Sequence, residues 1–516
     1  MDWTVRFSEL GISAQANDGD NLLDIIRANG IDIAADCGGR GSCGKCVVVA
    51  NGERGLACEL LVRDDMNVTI PRSDDDYDIL TDTKLPSETN PPGAEYIDPA
   101  NTEAPRGATA GTSIAVDIGT TTIVTKLIDL ASGRELGTAA ALNEQRPYGA
   151  DVISRINASM DDAFPLSAII TEQVDKMIIE LLKDSDVLTG AVRRVVVAGN
   201  TTMSYLLLGL PCRSLGLAPF EPAFAFKDEY SYGEIFPVKG RENRIDAPVF
   251  VMPFISAYVG GDITAGLLQR ESLKVGDGES YILVDMGTNG EIVYHLGERF
   301  LCTATAAGPA FEGGNISCGS GSVEGAISKV RMENGAFKCE TIGGAPARSV
   351  CGSGLLDVMA CFIDEGIVDA TGAMNADSPY VGDNAVIVAD DRPSGGERIA
   401  LTQKDVREFQ LAKSATRSGI ETLIGEFGDC VPDKLYLAGG FGQRLDPNSA
   451  FTTGLLPESV RNRVEPIGNS SLAGAALAAV DRERFGAAAR IAAVGEEINL
   501  ATHARFNQLF MEHMMF

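Results

Sequence analysis

A chain of 516 residues is too long for one core, and 45% hydrophobic with 22% charged residues is the composition of a globular protein of two to four domains. Acidic side chains outnumber basic ones 72 to 43, a formal charge of −29 that argues against nucleic acid as a partner. The sequence has no run of about 18 apolar residues, and its start, MDWTVRFSEL, has no apolar segment or cleavage signal, so a cytoplasmic protein with no membrane partner is expected.

Residues 1–72 read as a small α/β unit. TVRFSEL and ISAQAND alternate like a hairpin, NLLDIIRANG is an amphipathic helix closed by Gly30, and CVVVANG and MNVTIP are short strands. Between helix and strand lies CGGRGSCGKC, with Cys37, Cys43 and Cys46, and Cys58 follows in GLACEL. Four thiolates, three close and one apart, are the ligand count of a [2Fe–2S] cluster. Gly38, Gly39, Gly41 and Gly44 suit a loop that aims N–H groups at sulfur, and Arg40 and Lys45 would offset negative charge. Zinc is the alternative, although its sites favour two short Cys knuckles and here the first gap is five. The other seven of the 11 cysteines are scattered, and an odd total argues against a disulfide scaffold. The stretch resembles the β-grasp [2Fe–2S] ferredoxins, with a first gap one longer than the plant-type spacing.

Residues 73–111 are acidic and proline-rich, the composition of a flexible linker that tethers the first domain without fixing its position. Strands and helices alternate from 112 onward, and the pattern occurs twice. IAVDIGTTT (114–122) is echoed by ILVDMGTNGEI (282–292), and VVVAGNTTM (195–203) by LYLAGGFGQ (435–443). Two related lobes, 112–278 and 279–516, are expected. The terminal ATHARFNQLFMEHMMF reads as a tail packed on the core.

An apolar strand ending in Asp and a Gly-Thr turn presents N–H and hydroxyl donors to phosphate oxygens, and the Asp can hold Mg²⁺. Asp117 with Gly119, Thr120, Thr121 and Thr122 forms one such set; Asp285 with Gly287, Thr288 and Asn289 forms the other. Either alone is also an ordinary hairpin turn; the pair is far more specific. Gly439, Gly440 and Gly442 would let a nucleoside approach the backbone, and Gly352 and Ser353 open a helix as an anion contact. Asp262, in AYVGGDITAG, is a metal- or water-positioning carboxylate or a helix N-cap, and Glu291 lies close to the second phosphate loop. The glycine-rich stretch 306–322 must be a functional or connecting loop, with Ser317 a candidate polar contact.

The paired motifs resemble the acetate kinase, sugar kinase, Hsp70 and actin superfamily of ATPases. That resemblance implies an α/β fold of two ribonuclease H-like lobes closing over Mg-ATP. The whole chain resembles the reductive activators of corrinoid proteins, through the four cysteines, VDIGTTT, AGNTTM, VDMGTNGEI, AGPAFEGGNI, CGSGLLD and LAGGFG. This implies ATP-dependent transfer of one electron from a [2Fe–2S] cluster to a Co(II) corrinoid protein of a methyltransferase system. An unidentified electron donor would be a second partner, and a homodimer is an open option. A superfamily kinase with a redox-regulatory ferredoxin domain, or an ATP-gated activator of another metalloenzyme, is the alternative.

Overall fold

The computed structural model describes all residues except 1, 32, 34, 36–45, 71–78, 82, 84–110, 150, 161, 237–244, 272–278 and 288. Cys37, Cys43, the loop glycines 38, 39, 41 and 44, Arg40, Lys45, Thr288 and most of the expected linker lie outside the described residues.

Strands β1 (Asp2–Phe7) and β2 (Ile12–Asn17) pair antiparallel, as their alternation predicts. Helix α1 (Leu22–Ala28) starts where the Asn21 side chain accepts the Leu23 N–H, and the chain leaves it through Gly30 at φ +65°. Asn51 and Gly52, both at positive φ, turn β3 (Val47–Ala50) into β4 (Glu53–Leu56). Strand β5 (Met66–Thr69) completes a sheet of order β2-β1-β5-β3-β4, against which α1 buries Leu22, Leu23, Ile25 and Ile26.

The first lobe opens with an antiparallel meander: β6 (Thr112–Ile118), β7 (Thr122–Asp129) and β8 (Glu135–Leu142). Helices α2 (Val152–Ala158) and α3 (Phe164–Asp184) lead to β9 (Val192–Gly199), parallel to β6. There follow α4 (Thr201–Leu207), α5 (Arg213–Gly216), β10 (Tyr230–Ser231), α6 (Tyr232–Ile235), β11 (Pro248–Val251) and α7 (Gly261–Leu267). The second lobe repeats the meander as β12 (Tyr281–Met286), β13 (Gly290–Leu296) and β14 (Arg299–Thr305).

Two small sheets are inserted next. One holds β15 (Ala326–Glu333), β16 (Ala336–Thr341) and β17 (Ser349–Val350); after α8 (Gly352–Asp364) the other holds β18 (Val381–Gly382), β19 (Ala385–Asp390) and β20 (Arg398–Thr402). Helix α9 (Gln403–Glu426) returns the chain to β21 (Lys434–Ala438), α10 (Gly439–Arg444), α11 (Pro447–Thr452) and β22 (Val464–Gly468). The chain ends with α12 (Ser470–Val480), α13 (Arg482–Val494), β23 (Gly495–Glu497) and α14 (Ala504–Glu512).

The sheet orders β11-β9-β6-β7-β8 and β22-β21-β12-β13-β14 are the same arrangement: a first strand with its meander on one side and two parallel strands on the other. This is the duplicated α/β architecture that the repeated motifs predict. The tail is packed as expected, with the Phe510 carbonyl accepting from Ser414 on α9 and the Phe516 N–H donating to Ala370. Among the described residues no helix is long and apolar enough to cross a membrane.

The linker departs from its expected freedom at one point. Ile79 is drawn into the apolar cluster between the first lobe's sheet and α12, and Thr83 forms a β-bridge with Gly468. The reason is burial: Ile79 and Leu80 are adjacent aliphatics in an otherwise polar stretch.

The lobes are joined by exchanged helices. Helix α7 buries Ile263 and Leu267 against Leu283, Val293 and Tyr436 of the second sheet. Helix α12 buries Leu472, Ala475 and Ala479 against Ala115, Val124 and Val196 of the first. They cross at Gly474, where a Cβ would stand 1.8 Å from the Ala265 carbonyl oxygen. Gly474→Ala should therefore destabilise the lobes by about 1–3 kcal/mol, read as an earlier far-UV circular dichroism transition in denaturant. The single tryptophan, Trp3 on β1, should report an unmoved transition for the small N-terminal domain.

Candidate functional site: a two-lobed cleft and a thiol pair

The first Asp-Gly-Thr loop links β6 to β7. The Gly119 N–H donates to the Thr122 carbonyl at 2.9 Å, and a Cβ at 119 would lie 2.8 Å from that oxygen. Asn143 holds the loop from behind: its N–H reaches the Thr121 carbonyl and its amide the Gly119 carbonyl, both at 2.9 Å. Arg155, wholly buried on α2, donates to the Thr120 carbonyl, to Gly149 O at 2.9 Å and to Gln145 Oε1 at 3.3 Å. Burial, aided by the charge of Arg146, pushes its guanidinium down to about 9. Asn200, the N-cap of α4, donates to Thr120 Oγ1 at 3.2 Å. The loop's carbonyls are thus committed to the protein, while Thr121 and Thr122 line the cleft.

The second loop links β12 to β13, with the Gly287 N–H donating to Asn289 O at 3.1 Å. Asp285 lies across the hairpin from Glu291, in register. Gly439 follows β21 at φ +81°, and a Cβ there would meet Asp285 Oδ1 at 2.7 Å, so only glycine lets this turn close on the carboxylate.

These elements converge on one cavity of about 1020 Å³. It is lined by Asp117, Gly119, Thr120, Thr121, Thr122, Asp262, Asp285, Gly287, Asn289, Glu291, Gly352, Ser353, Gly439 and Gly440. Gly442 does not line it and packs against Leu437. The Ser353 hydroxyl donates to Ser328 O at 2.9 Å, so it is turned to the backbone rather than free for an anion. Asp262 lies within the first turn of α7, whose N-cap is Gly260, and accepts the Ile263 N–H at 2.8 Å. Ser317 gives both its N–H (2.7 Å) and its hydroxyl (3.0 Å) to Asp405. The surrounding 306–322 loop does reach the cleft: Phe311 stacks on Phe441 with ring centroids 4.5 Å apart.

Four carboxyls from both lobes line this cavity, Glu291 buried and the other three half-buried. Burial pushes Asp117 up against the hydrogen bonds it receives from Ser471 Oγ (2.6 Å) and Asn469 Nδ2 (2.8 Å). Burial and the charge of Asp117 push Asp285 up to about 7. Burial and the charge of Asp285 push Asp262 up to about 7. Burial, then Asp262 and Asp285, hold Glu291 well above the carboxylate range. Asn469 and Ser471, at the start of α12, were not singled out in the sequence; their signal is GNSSL, a capping Asn before hydroxyl residues, which resembles GNTTM at Asn200. Arg155 carried no local signal, because its partners lie up to 48 residues away.

In the small domain the Cys46 and Cys58 sulfurs lie 3.2 Å apart. That is beyond the roughly 2.05 Å of a disulfide, and both sulfurs could sit about 2.3 Å from one metal ion. The Ala57 N–H donates to Cys46 O at 2.8 Å, and the Asn21 amide to Cys58 O at 2.9 Å, so the cap of α1 also fixes this pair. The described half of the ligand set therefore fits a thiolate-bound group.

The fold and site define a class: a two-lobed, actin- and sugar-kinase-like nucleotide-binding protein with a ferredoxin domain. Residues 6–67 match the family model of the 2Fe-2S iron-sulfur cluster binding domain. Residues 112–273 match the RACo middle region, and residues 279–516 match the C-terminal domain of RACo, the ASKHA domain. The chain is 34% identical over 428 residues to the corrinoid activation enzyme RamQ of Eubacterium limosum, covering 78% of this chain and 70% of that protein. It is 25% identical over 430 residues to the [Co(II) methylated amine-specific corrinoid protein] reductase of Methanosarcina barkeri, covering 77% and 76%. A solved reductive activator for corrinoid, iron-sulfur protein superposes with a TM-score of 0.69 at 27% identity, over 100% of this chain and 98% of that one. The chain belongs to this family of corrinoid-activating enzymes.

Asp262 and Asp285 bind protons more tightly folded, near pH 7, than unfolded, near 3.8. Their contribution is fully present below about pH 4 and is lost as pH rises through about 7, a tenfold change in proton affinity being worth about 1.4 kcal/mol. The nucleotide-free protein should lose stability across this window, and Asp285→Asn should flatten the loss in thermal melts at stepped pH. Arg155→Met should weaken nucleotide binding about tenfold or more by isothermal titration, with far-UV circular dichroism unchanged.

Proposed function

We propose that this protein reductively activates a corrinoid protein, delivering one electron to a Co(II) corrinoid through its ferredoxin domain and using ATP in the two-lobed cleft. The observation that carries the reading is the position of the ferredoxin domain at the mouth of that cleft. Arg27 Nε donates to Pro147 O at 2.6 Å, its guanidinium lies 5.3 Å from the Tyr148 ring centre, and Phe7, Ile33 and Val68 line the same cavity as Asp117 and Asp285. A [2Fe–2S] group held by Cys37, Cys43, Cys46 and Cys58 would supply one-electron storage there.

The protein's own residues do the rest. Thr120, Thr121 and Thr122 on one side and Gly287 to Asn289 on the other would take the nucleotide phosphates. Asp117 and Asp285, with phosphate oxygens, would hold Mg²⁺, whose charge relieves the carboxyl repulsion. Gly439 and Gly440 would admit the nucleoside. Since the lobes meet through α7 and α12, nucleotide binding favours a closed arrangement by as much as it prefers that state. If the cluster lies about 100 mV above the corrinoid couple, equilibrium opposes transfer about 50-fold, or about 2.3 kcal/mol.

The test is anaerobic absorption spectroscopy of a Co(II) corrinoid protein mixed with this protein and an electron donor. A Co(I) band should form with Mg-ATP and not without it. Asp117→Ala and Asp285→Ala should lose the ATP-dependent band while the ferredoxin chromophore persists; Cys46→Ser should lose the chromophore and the band. A band independent of ATP would refute the coupling. Because protons compete with Mg²⁺ for carboxyls near 7, Mg-nucleotide affinity should rise between pH 6 and 8.

A further inference from the structure

Ile79, Leu80 and Thr83 anchor the linker on the body. Ile79 packs in the cluster formed by the first lobe's sheet and α12, and with Leu80 it lines the nucleotide cavity. The Thr83 hydroxyl accepts from Lys126 Nζ at 2.8 Å. Lys126 is 2% exposed, stands on β7 just beyond the first phosphate loop, and is ion-paired to Glu135 at 2.8 Å. The Thr83 backbone bridges Gly468, the last residue of β22, which is followed by the Asn469 that grips Asp117. One stretch of the linker therefore touches the first lobe, the second lobe's sheet and the rim of the nucleotide cleft.

From these anchors we infer that Ile79, Leu80 and Thr83 form a strap that divides the linker in two and makes only its first part the tether of the ferredoxin domain. An unanchored chain from Ile70 to Gly111 could extend to roughly 140 Å, whereas nine steps from Ile70 to Ile79 span at most about 30 Å. The ferredoxin domain then cannot range over the whole body. It works within that radius of the cleft mouth, so an electron acceptor must be presented on the cleft side. Residues beyond Thr83 do not contribute to reach. The identity of the acceptor rests on the proposed function; the strap itself does not.

Two insertions of equal length separate a strap from a free linker. Twelve Gly/Ser residues would be placed either between Asp75 and Asp76 or between Asn90 and Pro91, in the full chain carrying Arg27→Ala to release the docked contact. Spin labels borne on unnatural residues at Asp64 and Leu188, both exposed, would report the distance distribution by pulsed electron resonance. The upstream insertion should lengthen the mean distance by roughly 5–10 Å, and the downstream one should leave it unchanged. Adding Ile79→Asp with Lys126→Met should make the downstream insertion act as well. Equal lengthening by both insertions in the otherwise intact strap, or no change from either, overturns the inference. No corrinoid partner is needed for this readout, so a failed strap and a failed activity are told apart.

Discussion

The gathering of four carboxyls in one cleft, Glu291 buried and Asp117, Asp262 and Asp285 half-buried, is the constraint on which the rest of this molecule depends. Asp117 comes from the first sheet, Asp285 and Glu291 from the second, and Asp262 from the helix between them. Burial raises the free energy of ionising all four, and Asp117, Asp262 and Asp285 add to it at neighbouring carboxyls. Protons can neutralise that charge, and so can a divalent ion brought with phosphate. In the proposed function, a divalent ion held there would relieve part of that charge.

The exchange of α7 and α12 turns that local electrostatics into a mechanical property. Each helix belongs to one lobe by sequence and packs on the other lobe's sheet, and Gly474 lets them cross almost backbone to backbone. The first turn of α12 also carries Asn469 and Ser471, which hold Asp117. Any change in the charge of Asp117 therefore acts at the end of the helix that joins the lobes. Thr83 of the linker meets this junction at Gly468, so cleft, lobe contact and linker share a few neighbouring residues.

The ferredoxin domain was legible because its fold is written in short-range chemistry: alternation for β1 and β2, Asn21 and Gly30 around α1, Asn51–Gly52 at the hairpin. Count and spacing point to a set of four cysteines, and the structure adds that the α1 cap helps hold two of them, Cys46 and Cys58, together. The duplicated lobes were legible because each phosphate loop repeats an apolar strand, an Asp and a Gly-Thr turn. Long-range partners were not legible. Asn469 and Ser471 stand about 350 residues from Asp117, and nothing in GNSSL names the carboxylate it serves.

By itself the sequence determined the ferredoxin-like domain, the duplicated lobes and the family resemblance, since all of these reside in residue type at short spacing. Only the tertiary structure decided that Asp262 and Glu291 join the same carboxyl cluster, that Gly442 turns away from the cleft, and that a linker polar in composition is pinned at Ile79 and Thr83. The physical reason is the same in each case. Burial and charge proximity depend on which distant segments the folded chain brings against one another, and composition averaged over a stretch hides the two or three side chains that make the contact.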